Sequence, residues 1–341
     1  MSRRTIVTLV LAFLMVIVLK MAVLADPPVF DGSGMPVGGT RPISGVIPPQ
    51  PEIAPTAALG ATGRLCFMSD RDGNWEIYAI NADGTGLKRL TNNPADDFTC
   101  RWAPDMRRIV FVSTRDGDAE IFTMNASGSD QTQLTFNTSS DIYPNWSPDG
   151  KKIVFSSNRD DDYEIYVMNA DGSSLVQLTD NSIRDWQPAW SPDGQYITFV
   201  SGPITDYDSS DEIYRMNADG SAQTRMTTNT YGEWYPNWSP DSLTIAFSGN
   251  PGPVNRIYTI SVSGTNYITL TTITYDNWSP VYSPDGAFIA FSSSRDGYDQ
   301  VYLMRADGSD QTNLINHASY NRYPHWVKYQ DWIMIPLVSK N

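Results

Sequence analysis

Six polar residues stand at one repeated distance from an aromatic. Asp97, Asp141, Asp185, Glu233, Asn277 and Asn321 each precede a Trp or Tyr by five positions. Four carboxylates and two amides at one equivalent position leave two chemistries open. Each can privately cap its own connection by accepting backbone N–H bonds, as Asp and Asn do in turns. Alternatively they form an arc around a common opening, with Asp97, Asp141, Asp185 and Glu233 offering hard oxygens to Ca²⁺ or to a basic peptide segment. Phe98, Tyr143, Trp186, Trp234, Tyr235, Trp278 and Tyr323 lie beside them. Aromatic faces next to carboxylates suit sugars, and the same residues serve equally as packing.

Catalytic patterns are missing from the sequence. It has no G-x-S-x-G elbow for a hydrolase nucleophile. It has no H-E-x-x-H, and its two histidines, His317 and His325, read as structural, the first in a loop and the second on a strand. No motif calls for a cofactor, so Ca²⁺ is the one ion to consider. Arg71–Glu76, Arg115–Glu120 and Arg159–Glu164 recur five apart and read as cross-strand ion pairs, which are scaffold rather than site. The formal net charge of −14 argues against nucleic acid and against anionic lipid.

The elements that must position these residues come from a repeat. Trp102-Ala-Pro-Asp, Trp146-Ser-Pro-Asp-Gly, Trp190-Ser-Pro-Asp-Gly, Trp238-Ser-Pro-Asp and Tyr282-Ser-Pro-Asp-Gly are followed by a degenerate copy at Trp326. Their spacings are 44, 44, 48, 44 and 44 residues. Within one copy, the Pro-Asp-Gly turn leads to Lys152–Ser156. A polar turn at Arg159–Asp162 follows, then Glu164–Met168, an Asn-Ala-Asp-Gly turn and Val176–Thr179. Short apolar segments between tight turns form an antiparallel meander of four strands. Ile153, Val154 and Phe155 are apolar on both faces, so each small sheet has a neighbour on either side, as in a β-propeller. The expected fold is all-β: a six-bladed propeller over residues 61–341.

Arg64–Met68 matches the second strand of later copies, and Tyr323–Trp326 supplies a first strand. The C-terminal strand should therefore complete the N-terminal blade and remove exposed edges. Trp332–Ile335 looks like one further second strand and has no place in six blades. In this meander the Pro-Asp-Gly and Ala-Asp-Gly turns share one face and look purely structural. The second–third turns and the interblade connections share the other, which is where the six polar residues fall. Cys66 and Cys100 read as small buried hydrophobes, although an oxidising compartment would let them pair.

Ahead of the repeat, Arg3 and Arg4 precede an apolar run from Ile6 to Leu19, then Val23-Leu24-Ala25. This is the pattern of a signal peptide cleaved after Ala25, with a retained anchor as the alternative. No Cys follows the run, so no lipidated N-terminus is expected. Residues 26–60 carry eight prolines and read as an extended stalk.

The run Pro144-Asn-Trp-Ser-Pro-Asp-Gly-Lys-Lys-Ile-Val-Phe155, with Ser157-Asn-Arg-Asp160 and Glu164-Ile-Tyr-Val-Met-Asn-Ala-Asp-Gly172, resembles the repeat of TolB-type propellers over roughly residues 62–328. The resemblance implies a six-bladed ring in the envelope or outside the cell. TolB itself carries an N-terminal α/β domain, and here the stalk occupies that place. Related propellers form pectin-fragment lyases, for which the resemblance would imply a metal held by several histidines. The expectation is a non-catalytic, monomeric binding propeller, periplasmic, cell-surface or extracellular. It holds a protein, peptide or glycan on the loop face. The alternative is a polysaccharide lyase or hydrolase using the loop-face carboxylates.

Overall fold

A computed structural model describes residues 60–203 and 210–328. The expected signal peptide, the expected stalk up to residue 59 and the segment Trp332–Ile335 lie outside the described residues. Six four-stranded antiparallel sheets account for every strand described, and the chain is a six-bladed β-propeller. Blades 2 to 6 each use four consecutive strands; in blade 3 these are Asp141–Trp146, Lys152–Ser157, Glu164–Asn169 and Val176–Gln177. Blade 1 takes its inner strand, Asn321–Val327, from the C-terminal end of the repeat and pairs it with Arg64–Ser69. The expected clasp is present.

Burial on both faces holds the blades together. Phe67, Phe111, Phe155, Phe199, Phe247 and Phe291 stand at one position of the second strand, each at most 1% exposed. Together they form a belt through all six sheets. Full burial of such a ring contributes about 1.5–3 kcal/mol. Each phenylalanine faces an aromatic on the third strand, as Phe155 faces Tyr166 with centroids 6.0 Å apart.

The outer strand is shorter than the sequence pattern predicts, with two paired residues per blade rather than four. A threonine hydroxyl takes over where the ladder stops. Thr91, Thr135, Thr179, Thr227 and Thr271 accept the backbone N–H of Ile77, Ile121, Ile165, Ile213 and Ile257 at 2.8–3.0 Å. A buried N–H without a partner is costly, so the hydroxyl substitutes for a strand carbonyl.

The cysteines correct the sequence reading. Cys66, on the second strand of blade 1, is bonded to Cys100, on the inner strand of blade 2. Both are fully buried. Sequence separation concealed the pairing: the residues are 34 apart in the chain but on facing strands, with Cα atoms 6.3 Å apart.

Candidate functional site

The six loop-face residues are buried, each no more than 2% exposed. Their backbones pin neighbouring blades together. The N–H of Asp97, Asp141, Asp185, Glu233, Asn277 and Asn321 donates to a carbonyl of the preceding blade at 2.6–3.0 Å. Their side chains are engaged locally. Arg115 and Arg159 bond the carboxylates of Asp97 and Asp141, while Arg295 and Arg71 bond the amide oxygens of Asn277 and Asn321. Asn181 donates to Asp185, and Tyr267 donates to Glu233 at 2.7 Å. Among the described residues no hydrogen bond joins one of these six to another.

These contacts also correct the expected arginine–glutamate pairs. Each arginine reaches back across the sheet to the inner strand instead of to the glutamate five residues on. Its guanidinium stacks on an aromatic of the third strand, as Arg159 does on Tyr166 at 4.7 Å, while Nε bonds a serine such as Ser157. The glutamates Glu76, Glu120, Glu164 and Glu212 are buried, and each neighbours the acid that begins the next blade's inner strand. Burial, with that adjacent charge, pushes Glu120, Glu164 and Glu233 up to about 7.

Of the seven neighbouring aromatics, Phe98, Trp186, Trp234 and Trp278 are packed inside, none more than 8% exposed. The other three behave differently because every inner strand carries a β-bulge two residues after its first polar residue. Thr99, Tyr143, Gln187, Tyr235, Ser279 and Tyr323 sit at these bulges with φ between 47° and 57°. Such bulges re-aim side chains, and a proline follows in five of the six, where the ladder needs no donor. The N–H of Gln187, Ser279 and Tyr323 finds a serine hydroxyl on the preceding blade. Around the ring, large and small residues alternate. Tyr143, Tyr235 and Tyr323 converge, with Tyr235 and Tyr323 hydroxyls 3.0 Å apart and the Tyr143 and Tyr235 rings 6.3 Å apart. They form a floor across the axis toward the loop face.

Above that floor is the axial channel. A small chamber of about 20 Å³ is lined by Tyr143, Tyr235, Gln187, Ser279, Asn145, Asn237 and Arg101. Through Asn145, Asn237 and Val281 it adjoins a funnel of about 340 Å³ that opens among the Pro-Asp-Gly turns. Edges of Trp102, Trp146, Trp190, Trp238, Tyr282 and Trp326 ring the funnel with prolines between them. These tryptophans also hold the blades together: the indole N–H of Trp146 and Trp238 donates to backbone oxygens of the preceding blade.

The sequence reading missed this face. It assigned the Pro-Asp-Gly turns a structural role, and they have one. Ser147, Ser191, Ser239 and Ser283 each donate to the turn aspartate, which holds Asp149 and Asp241 below the usual carboxylate range. Yet the same turns surround the open end of the channel. The signal was the residue before each landmark aromatic: Arg101, Asn145, Ala189, Asn237, Val281 and His325. It varies where its neighbours repeat, and it faces the axis. His325 lies on a strand, as expected, and lines the funnel. Its Nδ1 accepts the Trp102 N–H at 3.1 Å, which places its proton on Nε2. Burial and the nearby Arg101 hold the imidazole well below its ordinary pKa, so it is neutral.

Comparison with known proteins agrees with this architecture. No curated protein sequence matches the chain. Among solved structures, TolB from Acinetobacter baumannii is similar at 23% identity with a TM-score of 0.69, over 78% of this chain and 66% of that one. A TolB-like protein from Agrobacterium tumefaciens aligns at 19% identity and a TM-score of 0.63, over 79% of this chain and 100% of that one. An oligogalacturonate lyase in complex with manganese aligns at 16% identity and a TM-score of 0.55, over 75% of this chain and 74% of that one. The chain spans just under two thirds of the Acinetobacter protein's length. The TolB beta propeller domain matches residues 52–145, 138–250 and 229–340, which covers the whole repeat, and on that ground this chain belongs to the TolB β-propeller family.

Proposed function

We propose that the chain is a non-catalytic, monomeric binding module that works outside the cytoplasm and receives a protein, peptide or glycan partner at the turn-face opening of its axial channel. The observation that carries this reading is the funnel of about 340 Å³, rimmed by aromatic edges and prolines and closed below by the tyrosine floor. Apolar walls with a few convergent polar groups are what binding sites use. The expected loop-face site loses ground because its carboxylates are buried and already bonded. For the same reason Asp97, Asp141, Asp185 and Glu233 offer a lyase or hydrolase no exposed acid pair. His317 lies in the connection into blade 1 and bonds Ser319, so the two histidines have separate structural roles. The buried disulfide supports an oxidising compartment and hence export.

The test is capture from an envelope extract by the wild type, Trp190→Ala and Asp116→Ala, the last on the opposite face. A partner lost from Trp190→Ala and kept by Asp116→Ala fits the proposal. Loss only from Asp116→Ala returns the site to the loop face, and turnover of polysaccharide by the wild type overturns the non-catalytic reading. Sequencing the exported protein should find Asp26 at the mature N-terminus.

A further inference from the structure

In a chain with 38 acidic residues and a net charge of −14, neither the chamber nor the funnel is lined by a single Asp or Glu. The charged residues that do line them are basic, Arg101 in the chamber and Lys328 at the funnel. Arg101 stands apart from the other arginines of the inner strands. Arg184 and Arg322 are held by Asp211 and Asp299, whereas none of the described residues gives Arg101 a carboxylate. Its one side-chain bond is from Nη1 to the Cys100 carbonyl, 3.0 Å away. A guanidinium has five N–H donors in a planar fork, so most of the fork is left for the chamber.

We infer that the axial channel binds an anion, with the Arg101 guanidinium receiving the carboxylate of a ligand whose body fills the turn-face funnel. This deepens the reading of the channel as a binding site by naming the chemistry at its base. Planar bidentate pairing with a carboxylate is the strongest use of an arginine fork. The chamber, at about 20 Å³, admits little more than a terminal group, since one water needs roughly 10–15 Å³ on the same measure. Asn145, Asn237 and the Nε2–H of neutral His325 stand along the path into the chamber with further donor capacity. Arg101 is half-buried, and desolvation without a carboxylate beside it already holds it below its usual pKa.

The experiment compares acetate with acetamide, its neutral near-isostere, by saturation-transfer NMR and calorimetry on the wild type, Arg101→Met and Arg101→Lys. Acetate should bind the wild type and acetamide should not. Arg101→Met should weaken acetate at least tenfold, while Arg101→Lys keeps the charge, loses the fork and falls between. A tripeptide with a free C-terminus against its C-terminal amide, and glucuronate against glucose, then distinguish a peptide source of the carboxylate from a sugar source. Equal behaviour of acetate and acetamide on the wild type overturns the inference, and that comparison stands even if Arg101→Met fails to fold. Partner capture that depends on Trp190 while acetate does not bind removes the anion site and leaves the binding module in place.

Discussion

Asp141 shows what the repeated acids contribute. Its carboxylate is fully buried, takes two N–H bonds from Arg159 and accepts a third from Asn137. Arg159 stays about a quarter exposed, so part of its charge is screened. Replacing one partner leaves the other with unmet bonds, and Asp141→Ala should cost about 1–3 kcal/mol in urea unfolding. Asp97 makes the same set with Arg115 and Asn93 in its own blade. The two losses should therefore add to within about 0.5 kcal/mol in the double variant. A strongly non-additive double would mean that the acids share a ligand. The repeated position was legible in the sequence because the landmark aromatic marked it, but its environment was not. Arg159 lies 18 residues from Asp141 and five from Glu164, and sequence distance favoured the wrong partner. Arg101 was overlooked for the opposite reason: only Asn recurs at its position, at 145 and 237, and only the closed ring turns all six residues toward one axis.

At the scale of the strand, the fold was easier to read. Turn chemistry and two-faced burial gave the four-strand meander, and the end strands gave the clasp. What pattern alone misjudged was the outer strand, where Leu178 and Thr179 look like continuing β-sequence. Thr179 instead gives its hydroxyl to the Ile165 N–H at 2.8 Å. Thr179→Val keeps the shape and removes the acceptor, leaving a buried donor unmet. It should lower stability by about 1–3 kcal/mol and speed exchange of the Ile165 amide, read by hydrogen–deuterium exchange. An unchanged Ile165 amide would mean that the outer strand holds itself. The disulfide acts on the next larger unit, since it ties the clasped blade to blade 2 and closes a separation of 34 residues. Denatured, unreduced protein should show no alkylatable thiol, and reduction should cost about 2–4 kcal/mol.

Taken over the whole molecule, the interblade joints on the loop face make stability depend on pH in an unusual direction. Glu120, Glu164 and Glu233 rise to about 7 when folded, chiefly through burial, while in the unfolded chain glutamate titrates near its ordinary value of about 4.3. Asp97 and Asp185 move upward for the same cause. Between about pH 4.5 and pH 7 the folded ring keeps protons that the unfolded chain has released. Stability from these joints is therefore complete on the acid side and is lost as pH rises toward 7. The turn carboxylates Asp83, Asp149 and Asp241 sit below the usual range, so they act against the fold only when pH falls under about 4. The melting temperature should peak near about pH 5 and drop by several degrees or more by about pH 8. Glu164→Gln, which is neutral at every pH, should raise the melting temperature at about pH 8 and flatten the slope. A rise on adding Ca²⁺ to the wild type at that pH would put a cation where the proton otherwise sits, between Glu164 and Asp185 or their equivalents. A melting temperature that climbs steadily from about pH 5 to pH 8 would mean that the buried glutamates ionise without penalty, and the proton-holding joints would have to be abandoned.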